Sequence, residues 1–171
     1  MNLEEGLLTR RSVRKFQKNS KLSKQDLDDA LNMAMHAPSA MNKQPWEFIV
    51  VDDEGMFNKI IAIHPHCSFL KDAGAAIIVC GNLNEQMGEG YWVADCAAAT
   101  ENLLLGLHAK GLGGCWCGIY PNEDRIKAFK KLFGMPEHIE PLALVVAGYP
   151  DGEAKQPQNR FRKEKIHTNH W

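Results

Sequence analysis

The side chains best suited to chemistry fall in two short stretches near the N-terminus. Arg10-Arg11-Ser12-Val13-Arg14-Lys15-Phe16 puts three guanidinium groups, an ammonium and a hydroxyl within seven residues. Guanidinium forks bind phosphate oxygens in pairs through charge-assisted hydrogen bonds, although the same composition also serves as a solvated charge cluster. Pro38-Ser39-Ala40-Met41-Asn42-Lys43-Gln44-Pro45-Trp46 gathers turn formers, small residues and amides ahead of an apolar run. Small side chains there would let main chain approach a flat ring, and taken alone the stretch is equally a well-made turn.

Other groups carry less. Cys115-x-Cys117 in a strand places both sulfurs on one face but leaves a metal short of ligands, so small apolar packing is expected. His64-x-His66-Cys67 and the pair His167 and His170 lack a structural-zinc spacing, and they are read as surface histidines or the lining of an acceptor pocket. Phe69, Tyr91 and Trp92 are expected in the core. No Gly-x-x-x-x-Gly-Lys-Ser/Thr loop is present, and Gly111-Leu112-Gly113-Gly114 lacks the third glycine of a dinucleotide fingerprint.

The elements that must position these residues read as an α+β order. A short helix around Leu3 to Thr9 precedes the cationic segment. Ser23 with Asp26 resembles a capping pair, and Leu27, Leu31, Ala34 and Met35 repeat at helical spacing until Ala37-Pro38. Glu47–Val51 and Ala75–Cys80 read as central strands. From Trp92 to Lys110 apolar residues nearly encircle the projection, which predicts a helix buried on most sides or at a subunit interface. A strand over Cys115–Ile119, a helix opened by Pro121-Asn122 and a strand over Leu142–Gly148 follow.

Composition bounds the rest. A chain of 171 residues with 44% hydrophobic content suits one domain, with residues 151–171 as a C-terminal arm. Twenty basic against 21 acidic residues give a formal charge of −1, which offers no general field for nucleic acid or membrane phosphates. Val93–Leu107 is broken by Asp95, Glu101 and Asn102, so no membrane span is expected. The N-terminus lacks the features of a secretory signal, and five cysteines form no spacing framework; both favour the cytoplasm.

Together, the Arg10-Arg11-Ser12-x-Arg14 and Pro38-Ser39-x-x-Asn42-x-Gln44-Pro45-Trp46 elements resemble the nitroreductase family of flavin enzymes. The resemblance extends to Leu112-Gly113-Gly114-Cys115-Trp116-Cys117-Gly118 and to Arg160-Phe161. It implies an α+β fold with a central mixed sheet wrapped by helices, and a homodimer with two flavin mononucleotide (FMN) sites at the interface. Arg10, Ser12 and Arg160 would grip the FMN phosphate, with Arg11 adding charge or main-chain hydrogen bonds. Arg14 would sit near the N1 and C2 carbonyl edge of the ring, where reduction places negative charge. Pro38, Ser39, Ala40 and Asn42 would come from the partner subunit. Trp116, Cys117 and Gly118 would pass the ring, with a main-chain N–H toward N5 and no side-chain acid or base required. The implied reaction is ping-pong hydride transfer from NADH or NADPH to a small acceptor such as a nitroaromatic or quinone. Alternatives on the same scaffold are an FMN carrier or sensor and a dedicated flavin dehydrogenase or dehalogenase.

Overall fold

The computed structural model describes residues 1–152 and 159–171. In chain order the elements are α1 (Leu3–Thr9), α2 (Lys24–Met35), a 3-10 turn (Ala40–Asn42), β1 (Trp46–Val51), α3 (Glu54–Ile63), a 3-10 stretch (Pro65–Asp72), β2 (Ala75–Asn82), α4 (Tyr91–Ala109), β3 (Gly113–Gly118), α5 (Glu123–Phe133) and β4 (Ile139–Gly148), with a last 3-10 turn at Lys163–Lys165. The expected C-terminal arm is described from Asn159 onward, and its residues 153–158 lie outside the described residues.

The α+β order expected from the sequence is the one observed. The sheet runs β1-β2-β4-β3, and each neighbouring pair is antiparallel. Parallel pairing, which a mixed sheet requires, is confined among the described residues to one bridge between Ser12 and Gly114. The run Ala75–Cys80 is central as expected, whereas Glu47–Val51 is an edge strand paired only with β2. Glu47 and Val50 are exposed on it. Four successive apolar residues, Phe48 to Val51, mark a strand without saying how many neighbours it has.

Period-two alternation divides the core between the faces of the sheet. Ile77, Val79, Ala143 and Val145 pack with α2 and α4, while Ile78, Cys80, Leu144 and Val146 pack with Phe57 and Ile60 of α3 and Phe129 of α5. Four side chains cap their helices by accepting main-chain N–H groups: Asn2 from Glu5 (2.8 Å), Ser23 from Asp26 (3.3 Å), Asp53 from Met56 (2.8 Å) and Asn122 from Arg125 (2.9 Å). Helix α3 was not foreseen, because only Phe57 and Ile60 of its ten residues are fully buried and its stripe is short. No helix among the described residues is long and apolar enough to cross a membrane.

Gly81 of β2 has no room for a side chain: a Cβ there would lie 2.5 Å from Trp92 Cε3, and Trp92 is 6% exposed. Gly81→Ala should therefore destabilise the fold by about 1–3 kcal/mol, read as a lower urea midpoint at unchanged slope. An unchanged midpoint would mean that Trp92 moves at no cost.

Candidate functional site

The cationic segment is laced between the start of β3 and the end of β4. Val13 N–H donates to Gly114 O (3.0 Å), Gln17 N–H to Tyr149 O (2.9 Å) and Asp151 N–H to Lys15 O (3.0 Å). Glycines permit this approach. A Cβ at Gly113 would stand 2.7 Å from Val13 Cβ, and one at Gly148 would stand 2.8 Å from Phe16 Cδ1. Phe16, 3% exposed, anchors the segment in the core.

The lacing brings Arg10, Arg11, Ser12, Arg14 and Arg160 to the rim of one cleft of about 720 Å³. That volume lies in the range of small-ligand sites. Arg10 Nε pairs with Glu101 at 3.2 Å. Arg11 Nη1 donates to Leu8 O (2.9 Å) and Arg10 O (2.6 Å). Asp151, the one carboxylate lining the cleft among the described residues, is paired with Lys15 at 2.8 Å. Among the described residues the Arg14 and Ser12 side chains make no hydrogen bond, and both residues are exposed. The lining therefore carries a marked positive excess at one end, the arrangement an anion needs. His108 and Thr9 also line this cleft and were not foreseen.

Arg14 also borders a second cleft of about 280 Å³, with His64, His66, Phe69, Cys115, Trp116, Cys117, Gly118 and Arg125. Residues Gly114 to Gly118 of β3 run beneath both clefts, roughly 13 Å of extended chain. β3 is an edge strand, so half of its main-chain groups point away from β4. Trp116, Cys117 and Gly118 thus share one lined groove with Arg14. A side chain at Gly118 would meet only Tyr120 O, at 3.9 Å.

Arg125 lines this cleft without having been singled out, and Phe69 lines it although core packing was expected, while His64 and His66 follow the pocket-lining alternative open for them. His64 is not on the surface: it is 2% exposed, and its Nε2 lies 3.2 Å from Gly118 O, where Arg125 Nη1 also donates at 2.6 Å. A carbonyl partner demands Nε2–H, which leaves Nδ1, buried without a partner, as the unprotonated nitrogen. Burial, then the Arg125 charge, lowers the His64 pKa and keeps the ring neutral. The only local signal was His-x-His beside a proline.

The cysteines are all unpaired and buried. Burial pushes Cys80 and Cys96 up to about 12 and Cys67 up to about 11. Cys115 and Cys117 pack in the core as expected, Cys115 Sγ lies 3.9 Å from Trp116 O, and the neighbouring Cys117 thiol lowers the Cys115 pKa against burial and with help from Arg14, while Cys117 is raised. No group of three or more His, Cys, Asp or Glu among the described residues is arranged to hold a metal ion.

Pro38, Ser39, Ala40 and Asn42 border neither cleft. They sit where α2 ends, and Ala40 N–H donates to Asp95 Oδ1 (2.9 Å) near the start of α4. Ser39 Oγ accepts from Gln44 N–H (2.9 Å), and Gln44 Nε2 donates to Asn42 Oδ1 (2.8 Å). Met41, Asn42 and Gln44 all have positive φ, 51°, 55° and 51°. Such conformations are uncommon outside glycine and cluster at functional sites. Asp95 and His108 are thirteen residues apart on α4, about 20 Å along its axis. One chain therefore keeps this turn and the arginine cleft at opposite ends of the same helix.

This fold, with a cationic cleft opening onto an edge strand, belongs to a known class. The family model "Nitroreductase family" matches residues 7–66 and 64–149, and the chain belongs to that family. A protein of Methanothermobacter thermautotrophicus, provisionally described as an NADH dehydrogenase/NAD(P)H nitroreductase, is 41% identical over all of this chain and 88% of its own length. A Parabacteroides distasonis crystal structure with the same provisional description is 37% identical, covers 98% of each chain and superposes with a TM-score of 0.92. An FMN-dependent nitroreductase from Clostridium difficile R20291 is 28% identical, covering 99% of this chain and 100% of its own, at a TM-score of 0.89. Membership of this family makes the chain an oxidoreductase.

The thiol pair gives a direct check on the groove's electrostatics. Ultraviolet titration of thiolate absorbance should show one of the five thiols ionising below the ordinary cysteine range, and Cys117→Ala should abolish that early step by removing the neighbouring thiol. A wild type with no early step would mean that the neighbouring thiol has no such effect.

Proposed function

We propose that the chain is an FMN-dependent NAD(P)H oxidoreductase that uses the two joined clefts as one cofactor site. The observation that carries this reading is a continuous lining with an arginine-rich end, a central Arg14 and a bare strand edge from Cys115 to Gly118. These residues fit FMN, which has an anionic phosphate at one end and a flat polar ring at the other. When bound, FMN accepts a hydride from a nicotinamide and returns it to an oxidant.

The protein's part is binding, orientation and electrostatics. Arg10, Ser12 and Arg160 would hold the phosphate, while Arg11 stiffens the turn through its main-chain bonds. Arg14 would stand beside the ring and stabilise negative charge there, raising the reduction potential. Trp116, Cys117 and Gly118 would offer main-chain groups along the ring edge. His64 and Arg125, by holding the Gly118 carbonyl, would fix the end of that strand.

The other half of the site would come from a second copy, which presents its Pro38, Ser39, Ala40 and Asn42. Two features support a homodimer. The turn lies about 20 Å along α4 from the arginine cleft of its own chain. Leu3, Leu7 and Leu8 of α1, Met33 and Met35 of α2 and Met41 are all exposed, an apolar set unusual for a free surface. Donor and acceptor would occupy the same space in turn, and small nitroaromatics or quinones are the proposed acceptors. Five unpaired thiols suit a reducing compartment, and the cytoplasm is the proposed one.

Purified protein should carry flavin absorption that bleaches on anaerobic addition of NADH or NADPH, and sedimentation should give twice the 19.2 kDa chain mass. A colourless protein that refuses added FMN would overturn the reading. Arg10→Ala removes a charge-assisted contact worth roughly 1.5–3 kcal/mol, so FMN affinity should fall about tenfold to a hundredfold. Double-reciprocal plots at varied donor and acceptor should be parallel; intersecting lines would require both substrates bound together.

A further inference from the structure

We propose that His108 belongs to the phosphate-binding end of the larger cleft and takes up a proton when the anion enters. This rests on the FMN reading above and assigns a residue outside the family motifs carried by the sequence.

His108 occupies the last turn of α4 and lines the cleft together with Arg10, Arg11, Ser12 and Arg160. Its ring orientation is fixed from α1. Thr9 Oγ1 lies 2.6 Å from Glu5 O, a carbonyl that can only accept, so the hydroxyl proton is committed there. The 2.8 Å contact between Thr9 Oγ1 and His108 Nε2 must then run from Nε2–H to the hydroxyl oxygen. Nδ1 is thereby left as the basic nitrogen. It makes no hydrogen bond among the described residues, and it is not a sealed buried atom as His64 Nδ1 is.

The charges around the ring set its response. Burial lowers the His108 pKa first, Arg10 and Arg11 lower it further, and Glu5 of α1 opposes them. On α4 itself, Glu101 is engaged with Arg10, and Lys110 is engaged with Asp26 and Asp29 of α2. Across the cleft stand Arg14, Arg160 and the Lys15–Asp151 pair. Burial and the two arginines outweigh Glu5, so the neutral ring is favoured. A phosphate dianion among these arginines reverses the sign of the local potential, and protonation at Nδ1 then adds a further donor and charge.

The sign follows from linkage. Binding that raises a pKa consumes a proton, so affinity increases as pH falls through the interval between the free and bound values. The second ionisation of a phosphate monoester, near about 6, sets the lower limit of the useful window.

The test is calorimetric titration of flavin-free protein with FMN at pH 6.5 and 8, in two buffers of different ionisation enthalpy, with riboflavin as the ligand lacking phosphate. FMN should bind about threefold to tenfold tighter at pH 6.5 than at pH 8, with buffer-dependent heats reporting proton uptake. Riboflavin should show no such dependence, and His108→Gln should bind FMN with a flat pH profile. FMN heats that are independent of buffer in the wild type would overturn the proposal, as would a His108→Gln protein that keeps the wild-type slope. A protein that binds neither flavin would instead sink the FMN reading itself.

Discussion

The close passage of residues 12 to 17 between two strand ends is the constraint on which the site depends. Gly113 and Gly148 leave space where any Cβ would strike Val13 or Phe16, and three main-chain hydrogen bonds hold the segment there. Because the chain is fixed at this depth, Arg14 is delivered to the junction of the two clefts, and Arg10 and Ser12 to the end near α4. The side chains remain on a short, exposed and self-repelling run that would not order itself. Buried Phe16 and the sheet supply that order. A phosphate would then supply the missing negative charge.

The same geometry divides the labour of the chain. Helix α4 is buried along much of its length, and it presents Asp95 near one end and His108 at the other. Asp95 holds the Ala40 turn, in which Met41, Asn42 and Gln44 keep left-handed backbone through side-chain and main-chain hydrogen bonds. A turn made costly in this way is well suited to presenting its polar groups outward to another molecule. The cleft supplies charge and a strand edge, and the turn supplies a shaped wall. On the dimer reading neither is a complete site without the other.

Much of this was legible in the residues. The arginine stretch, the proline-rich turn and the glycine-rich entry to β3 are local, so their spacing survives in sequence, and the helices capped by Ser23 and Asn122 follow from short-range rules. Other features depended on tertiary context. The edge position of β1 needs the sheet order, and α3 buries too narrow a stripe to announce itself. His64 and Arg125 meet at Gly118 across more than fifty and seven residues, respectively. Likewise, His108 meets Thr9 across ninety-nine residues, and nothing local to either marks the pairing.

The central claim is that each cofactor site takes its arginines from one chain and its proline-rich turn from another. Mixing two variants that each bind FMN weakly, Arg10→Ala and Asn42→Ala, under conditions that exchange subunits tests it most directly. A shared site predicts that the mixed dimer regains one intact site out of two, recovering tight FMN binding at half the wild-type stoichiometry. A site built within a single chain would leave one defect in every site, and no recovery of binding on mixing would contradict the claim.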